Sequence, residues 1–274
     1  MGDLRTDTTV VGGNGRYTTT VSADWDFFTP NGGYLSALAL RAAAAETDLP
    51  QPAAYYCHYL NPPRSGEEAE IVVTTLRRST RTHALRIAMS QGDLPTLDAL
   101  IWLIAPPGGL DYSHAVMPDV PEPASLRSNE EIHAPDKAPF PFWDNVETRP
   151  VTWTGRWDER PIMHPLWRVW ARFRPEARFA DPFVDACRSL ILIDTMLYPA
   201  AAIAHEGVFP FAAPSMDLAV RFHASSRDSE WLLSSTESPV SIEGLLGGYA
   251  AIWSEDGRLI ATGGQQMLYR PPRA

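Results

Sequence analysis

Two periodicities alternate along this chain. Segments in which apolar and polar residues exchange at successive positions, the mark of a half-buried strand, give way twice to stretches with the denser apolar spacing of a helix. In the first half, residues 16–23 (RYTTTVSA) are β-prone. Pro30-Asn31-Gly32-Gly33 then opens a helix running through Tyr34, Leu35, Leu38 and Leu40 to about Glu46. Four strand-like runs follow, at 53–60, 67–79, 81–90 and 95–104, with Gln91-Gly92-Asp93 as a hairpin turn.

Residues 105–150 break the pattern: they hold nine of the chain's 25 prolines and little periodicity, which predicts a connector. The pattern then returns. A strand at 165–174 precedes a helix at 183–205, and four strands follow at 215–223, 230–238, 245–254 and 258–270, the last pair turning at Glu255-Asp256-Gly257. The order predicts an internal duplication of strand-helix-four-strand units, an α+β chain divided as 1–105, connector 106–150, and 151–274. Pro30 and Pro182 stand 152 positions apart and Ser90 and Ser254 stand 164 apart. The twelve additional residues are expected between the second helix and its next strand, and the register sets Asp194 against Ala42.

The second helix, FVDACRSLILIDTMLYPAAAIAH, is apolar on nearly every face, so it must be wrapped rather than laid on a surface. Asp181-Pro182 fits its N-cap and first turn. In its middle stands one carboxylate, Asp194. Buried there, an ionised acid needs hydrogen bonds or a cavity. That makes it either a candidate general base or a structural Asp that caps a loop or pairs with a buried Arg.

Composition narrows the classes. With 274 residues, 45% hydrophobic and 20% charged, the chain is ordinary for a globular protein. The net charge of −10 and pI near 5.1 argue against a nucleic-acid partner. No apolar run approaches 18 residues, so no membrane span is expected, and MGDLRTDTT lacks a signal-peptide core, so a cytoplasmic location is expected. Cys57 and Cys187 lie far apart without CxxC spacing and read as buried thiols; with no HxxxH or HxH spacing, neither metal nor cofactor is expected. His58 and His223 read as core or rim residues. Gly12-Gly13-Asn14-Gly15 reads as a turn rather than a dinucleotide loop. There is no GxSxG of a serine hydrolase.

A long apolar helix in an antiparallel sheet, duplicated in one chain, resembles the double hotdog acyl-CoA thioesterases of the thioesterase II type. The residues that carry the resemblance are Ile193-Asp194, Pro214-Ser215-Met216-Asp217 leading to Phe222-His223, Glu230-Trp231-Leu232-Leu233 and Gly264-Gln265-Gln266. Tyr59-Leu60-Asn61-Pro62 and Leu76-Arg77-Arg78-Ser79 carry it in the first half. The resemblance implies hydrolysis of an acyl-CoA to a free acid and coenzyme A, with Asp194, Ser215 and Gln265 holding the water and Asp194 as general base or, alternatively, as nucleophile through an anhydride. Ser215 stands where the family often has Thr, and Gln266 where an acidic residue is often found. Only one of the adjacent amides can face the site, since neighbouring strand residues point to opposite faces, and Gln265 is the expected one.

Single hotdog thioesterases suggest by analogy that N–H groups at Gly32, Gly33 and Tyr34 bind the substrate carbonyl. Gly32-Gly33 also reads simply as a close-packing device. The mirror-related site, Asp185-Ala186 with Arg41-Ala42, lacks the acid, so one active site per chain is expected. Arg77, Arg78 and Arg81, with Arg86, could hold coenzyme A phosphates, against a plain reading as a solvated hairpin. Trp143, Trp153, Trp157, Trp167 and Trp170 are expected to fasten the connector to the core. A homodimer is expected from open sheet edges. The competing functions are a hotdog enoyl-CoA hydratase or dehydratase, whose Asn and His are absent after Asp194, and a non-catalytic acyl-binding protein.

Overall fold

The computed structural model describes residues 1–136 and 139–271. Lys137 and Ala138 of the expected connector, and residues 272–274 of the expected second unit, lie outside the described residues. The first half contains the short helix α1 (Leu4–Asp7), strands β1 (Val11–Gly13) and β2 (Arg16–Thr20), helix α2 (Gly32–Ala45), and strands β3 (Gln51–Tyr59), β4 (Glu68–Arg78), β5 (Thr82–Gln91) and β6 (Leu94–Ile104). The connector holds α3 (Asn129–His133) and α4 (Phe142–Asn145). The second half has β7 (Val146–Pro150), β8 (Leu166–Phe173), helix α5 (Pro182–Ala202), and strands β9 (Asp217–Phe222), β10 (Trp231–Ile242), β11 (Leu245–Ser254) and β12 (Leu259–Leu268).

Alternation along the strands builds one antiparallel sheet. On β5, Leu85, Ile87 and Met89 are buried while Arg86 faces out; on β6, Leu97, Ala99, Ile101 and Leu103 are buried while Leu100 and Trp102 are exposed. Each fully buried Leu or Ile contributes about 1.5–3 kcal/mol, which fixes the face and therefore the register. The order is β1-β2-β4-β5-β6-β3-β9-β12-β11-β10-β8-β7. The two halves meet where β3 pairs with β9, from Ala54 opposite Arg221 to His58 opposite Asp217. This is a double hotdog: two related units share a sheet that wraps two central helices.

The helices begin on capped turns. Asn31 Oδ1 accepts from Tyr34 N at 2.9 Å, and Asp181 accepts from Phe183 N and Val184 N. They run antiparallel in close contact. A Cβ on Gly33 would lie 2.5 Å from Ile191 Cα and 2.9 Å from Leu190 O, so only glycine lets α2 approach α5 there. At the other end Arg41 pairs with Asp181 at 2.7 Å. With α2 and the sheet around it, α5 buries residues on all its faces, as its composition requires.

Three expectations shift. The proline-rich stretch supplies an edge strand, β7, whose terminal Pro150 suits a position where a ladder donor is dispensable. The two N-caps, Asn31 and Asp181, are 150 positions apart rather than 152, because Pro30 precedes its cap whereas Pro182 follows its own. On the cap register Asp194 matches Ala44. The added length is also shared: α5 has 21 residues against 14 in α2, and only the remainder lies in the 203–216 loop.

The tryptophans serve several purposes. Trp170 Nε1 donates to Pro121 O, and Trp170, Trp231 and Trp253 pack against Met117, Val120 and Leu126 of the connector. Trp157 Nε1 instead ties to Val208 O in the 203–216 loop. The open-edge argument for a dimer loses ground, since β1 has three residues and β7 is largely buried.

Candidate active site

Asp194 is 6% exposed, in the middle of α5, and its carboxylate meets the N-terminus of α2. Oδ2 accepts from Gly33 N at 2.9 Å and from Asn31 Nδ2 at 3.0 Å; Oδ1 accepts from Ser215 Oγ at 3.0 Å. Asn31 therefore works in two directions. Its Oδ1 caps α2, while its amide N–H groups reach Asp194 and Thr195 Oγ1, the latter at 3.1 Å. Ser215 is fixed just before β9, where it bridges to Met267 and where Met216 N donates to Gln266 O.

Gln265 is buried and its Nε2 donates to Asp194 O at 2.9 Å, while its Oε1 has no partner among the described residues. Gln266 belongs to the other face, and its N–H is taken by Asp217 Oδ1. The amide brought to the acid is thus that of Gln265.

The two glycines have different tasks. Gly33 makes the helix approach described above. A Cβ on Gly32 would instead stand 2.9 Å from Asp194 Oδ1, 3.1 Å from Oδ2 and 2.9 Å from Tyr59 Cζ, so Gly32 leaves room in front of the carboxylate. Of the three expected donors, Tyr34 N–H is committed to the Asn31 cap and Gly33 N–H to Asp194. Gly32 N–H, in the first turn, makes no hydrogen bond among the described residues. The Tyr34 ring lies away from the acid, stacked on Trp25 with its hydroxyl on Asp7 O.

Burial raises the Asp194 pKa from 3.8 to about 6; the hydrogen bonds from Gly33, Ser215 and Asn31 pull the other way. Desolvation wins, yet the acid is still mostly ionised at pH 7. That is the poise of a general base.

In the mirror position Asp181 caps α5 and pairs with Arg41, and Ala44 stands where α2 would need an acid. Asp185 is buried in a different arrangement, bonded to Arg188, Ser225 and Ser226. Arg188 also donates to Ala177 O, Ser226 O and Ser229 O, which makes this cluster a brace for surface loops. The arginines proposed for coenzyme A lie elsewhere. Arg77, Arg78 and Arg81 are exposed around the β4–β5 hairpin, where Arg78 pairs with Asp48 beyond the C-terminus of α2. That places them a helix length, about 21 Å, from the Asp194 end of α2. Arg86 pairs with Asp98 on the outer sheet face.

Asn31 and Tyr59 were not singled out from sequence as site residues. For Asn31 a hint existed: an amide was used as cap beside two glycines, where a hydroxyl or carboxylate caps as well but leaves fewer donors. Among the described residues, no cluster of three or more potential metal ligands occurs.

The acyl-CoA thioesterase N-terminal domain model matches residues 21–104, and the C-terminal domain model matches residues 118–269. The chain belongs to the acyl-CoA thioesterase family. The thioesterase is thus an acyl-CoA thioester hydrolase, with its candidate site formed between the two matched domains. Its fold is that of a TesB protein of Mycobacterium avium subsp. paratuberculosis, with TM-score 0.79 and 22% identity over 98% of each chain. An acyl-CoA thioesterase II, TesB2, of Mycobacterium marinum aligns with TM-score 0.80 and 19% identity, covering 98% of this chain and 99% of that one. A hot dog fold protein of unknown function from Alicyclobacillus acidocaldarius gives TM-score 0.81 and 21% identity over 98% of each. No curated protein matches the thioesterase in sequence. Among the described residues, no helix is long and apolar enough to cross a membrane.

Proposed function

We infer that this thioesterase hydrolyses its acyl-CoA by attack of a water that Asp194 deprotonates. The observation that carries the reading is the Asp194 carboxylate of one half held against the N-terminus of α2 from the other. Ser215 holds Oδ1, Gln265 anchors the Asp194 backbone, and the unpartnered Gln265 Oε1 supplies an acceptor for the water.

Water oxygen bonds to the thioester carbon as its proton passes to Asp194. The developing oxyanion lies at the α2 N-terminus, where the free Gly32 N–H and the helix dipole stabilise negative charge. Collapse breaks the carbon–sulfur bond, and the coenzyme A thiolate recovers the proton from Asp194. The acid and free coenzyme A leave, and the enzyme is unchanged. The mirror site, with Ala44 where an acid would be needed, does no chemistry, so each chain has one site.

The test is release of free thiol from acyl-CoAs by wild type and Asp194→Asn. Loss of a general base costs about 10²- to 10⁴-fold; turnover within a few fold of wild type, with the fold intact, moves the chemistry elsewhere. A homodimer in this reading uses the outer sheet face, where Tyr56, Leu100 and Trp102 are 37%, 47% and 43% exposed. Sedimentation of Trp102→Glu tests it, and a wild type that sediments as a monomer rejects it.

A further inference from the structure

Asn31, Gly33 and Ser215 are not the only groups around the carboxylate. Tyr59, the last residue of β3, turns its ring to the place that Gly32 leaves open, with Cζ and Asp194 Oδ1 each 2.9 Å from the position of a Gly32 Cβ. Its hydroxyl is 2.8 Å from Ser36 Oγ, one turn further along α2, and Ser36 Oγ is 3.7 Å from Cys57 Sγ. Ser36 and Cys57 are fully buried. A row of neutral hydroxyl and thiol groups thus lies beside the one carboxylate in the site.

We propose that Tyr59 is a positioning residue for Asp194, its hydroxyl held by Ser36 and directed at the carboxylate. The inference rests on the reading of Asp194 as base. A tyrosine hydroxyl has one proton. With Asp194 ionised, that proton points to the charge, and Ser36 O–H fills the acceptor it leaves on the Tyr59 oxygen. In an interior of low polarity, such a chain strengthens each member. Tyr59 is among the influences that hold the Asp194 pKa down against burial. The other titratable groups facing Asp194 are Tyr55 and Cys57 of β3. Burial raises the Cys57 pKa to about 11 and both tyrosines well above 10, so all three stay neutral where Asp194 titrates.

The experiment is the pH profile of kcat/KM, by thiol release from an acyl-CoA, for wild type, Tyr59→Phe and Ser36→Ala. The phenylalanine keeps the ring and removes only the hydroxyl. Its acidic limb should move alkaline by about one pH unit, the size of one hydrogen bond lost from a charged group. Ser36→Ala should move it in the same direction by less. The carboxyl stretch of Asp194, followed by infrared titration against Asp194→Asn, should move with it and needs no turnover. A limb and a stretch unmoved in Tyr59→Phe overturn the proposal; if that variant fails to fold, Ser36→Ala decides by the same criterion. Turnover surviving in Asp194→Asn rejects the base itself. An inactive Asp194→Asn beside an unshifted Tyr59→Phe rejects Tyr59 alone.

Discussion

Gly32→Ala separates catalysis from folding at one methyl group. The new Cβ would lie 2.9 Å from Asp194 Oδ1 and from Tyr59 Cζ, whereas ordinary contact begins at 3.4 Å. Both groups must therefore retreat by about half an ångström. Misplacement of a reacting group by about 1 Å costs about 10²-fold, so kcat/KM should fall about 10- to 100-fold. The backbone bears no strain, as Gly32 is not among the residues with positive φ, and alanine favours the helix over glycine by up to about 1 kcal/mol. The melting temperature should hold or rise while turnover falls. Gly33→Ala gives the opposite lesson: its Cβ meets the backbone of α5, and prising two packed helices apart costs about 1–3 kcal/mol or more. Steady-state kinetics with thermal melts on both variants is the assay. Activity of Gly32→Ala within about threefold of wild type would refute the placement of the reacting groups in front of Gly32.

Burial holds the Asp194 pKa at about 6 against 3.8, so the folded chain binds this proton more tightly than the unfolded one and loses stability as pH rises from about 4 to about 6. Asp194→Asn should remove that penalty and be up to about 3 kcal/mol more stable than wild type at pH 7, with the gap closing near pH 4. Urea unfolding at both pH values measures it, and a variant less stable at pH 7 contradicts the sign. Asn31→Asp keeps a good cap but sets a second carboxylate beside Asp194, so the pair should share a proton and the acidic limb of the pH profile should shift alkaline while helicity by circular dichroism persists. Joint replacement of Arg77, Arg78 and Arg81 by Ala should leave KM for acyl-CoA unchanged; a marked rise would bring the phosphates to that hairpin.

Much of this architecture was legible because it is periodic. The β5–β6 hairpin announces itself through alternating Leu85, Ile87 and Met89 around a polar turn, and α5 through an apolar surface with nowhere to face but inward. Asp194 stood out because burying a lone acid is costly. What escaped were features decided across long sequence distances. Asn31 reads locally as a cap, and nothing within α2 says that its amide will meet a residue 163 positions away. Tyr59 reads as an ordinary strand aromatic until the missing Gly32 side chain gives its ring a place. β7 hides in a proline-rich stretch because edge strands carry a weak pattern, and pairing with β8 decides its structure. The helix offset went astray because proline occurs both before a cap and after one.

Asn31 and Gly33 belong to one half, Asp194, Ser215 and Gln265 to the other, and the β3–β9 ladder with the α2–α5 contact is what joins them. Turnover is therefore a sensitive gauge of how the halves are docked. A slip of half an ångström along that junction leaves each unit's own strands paired and its spectrum of secondary structure unchanged, yet it draws Asp194 from its donors. In denaturant or heat, this enzyme should fall silent before it unfolds.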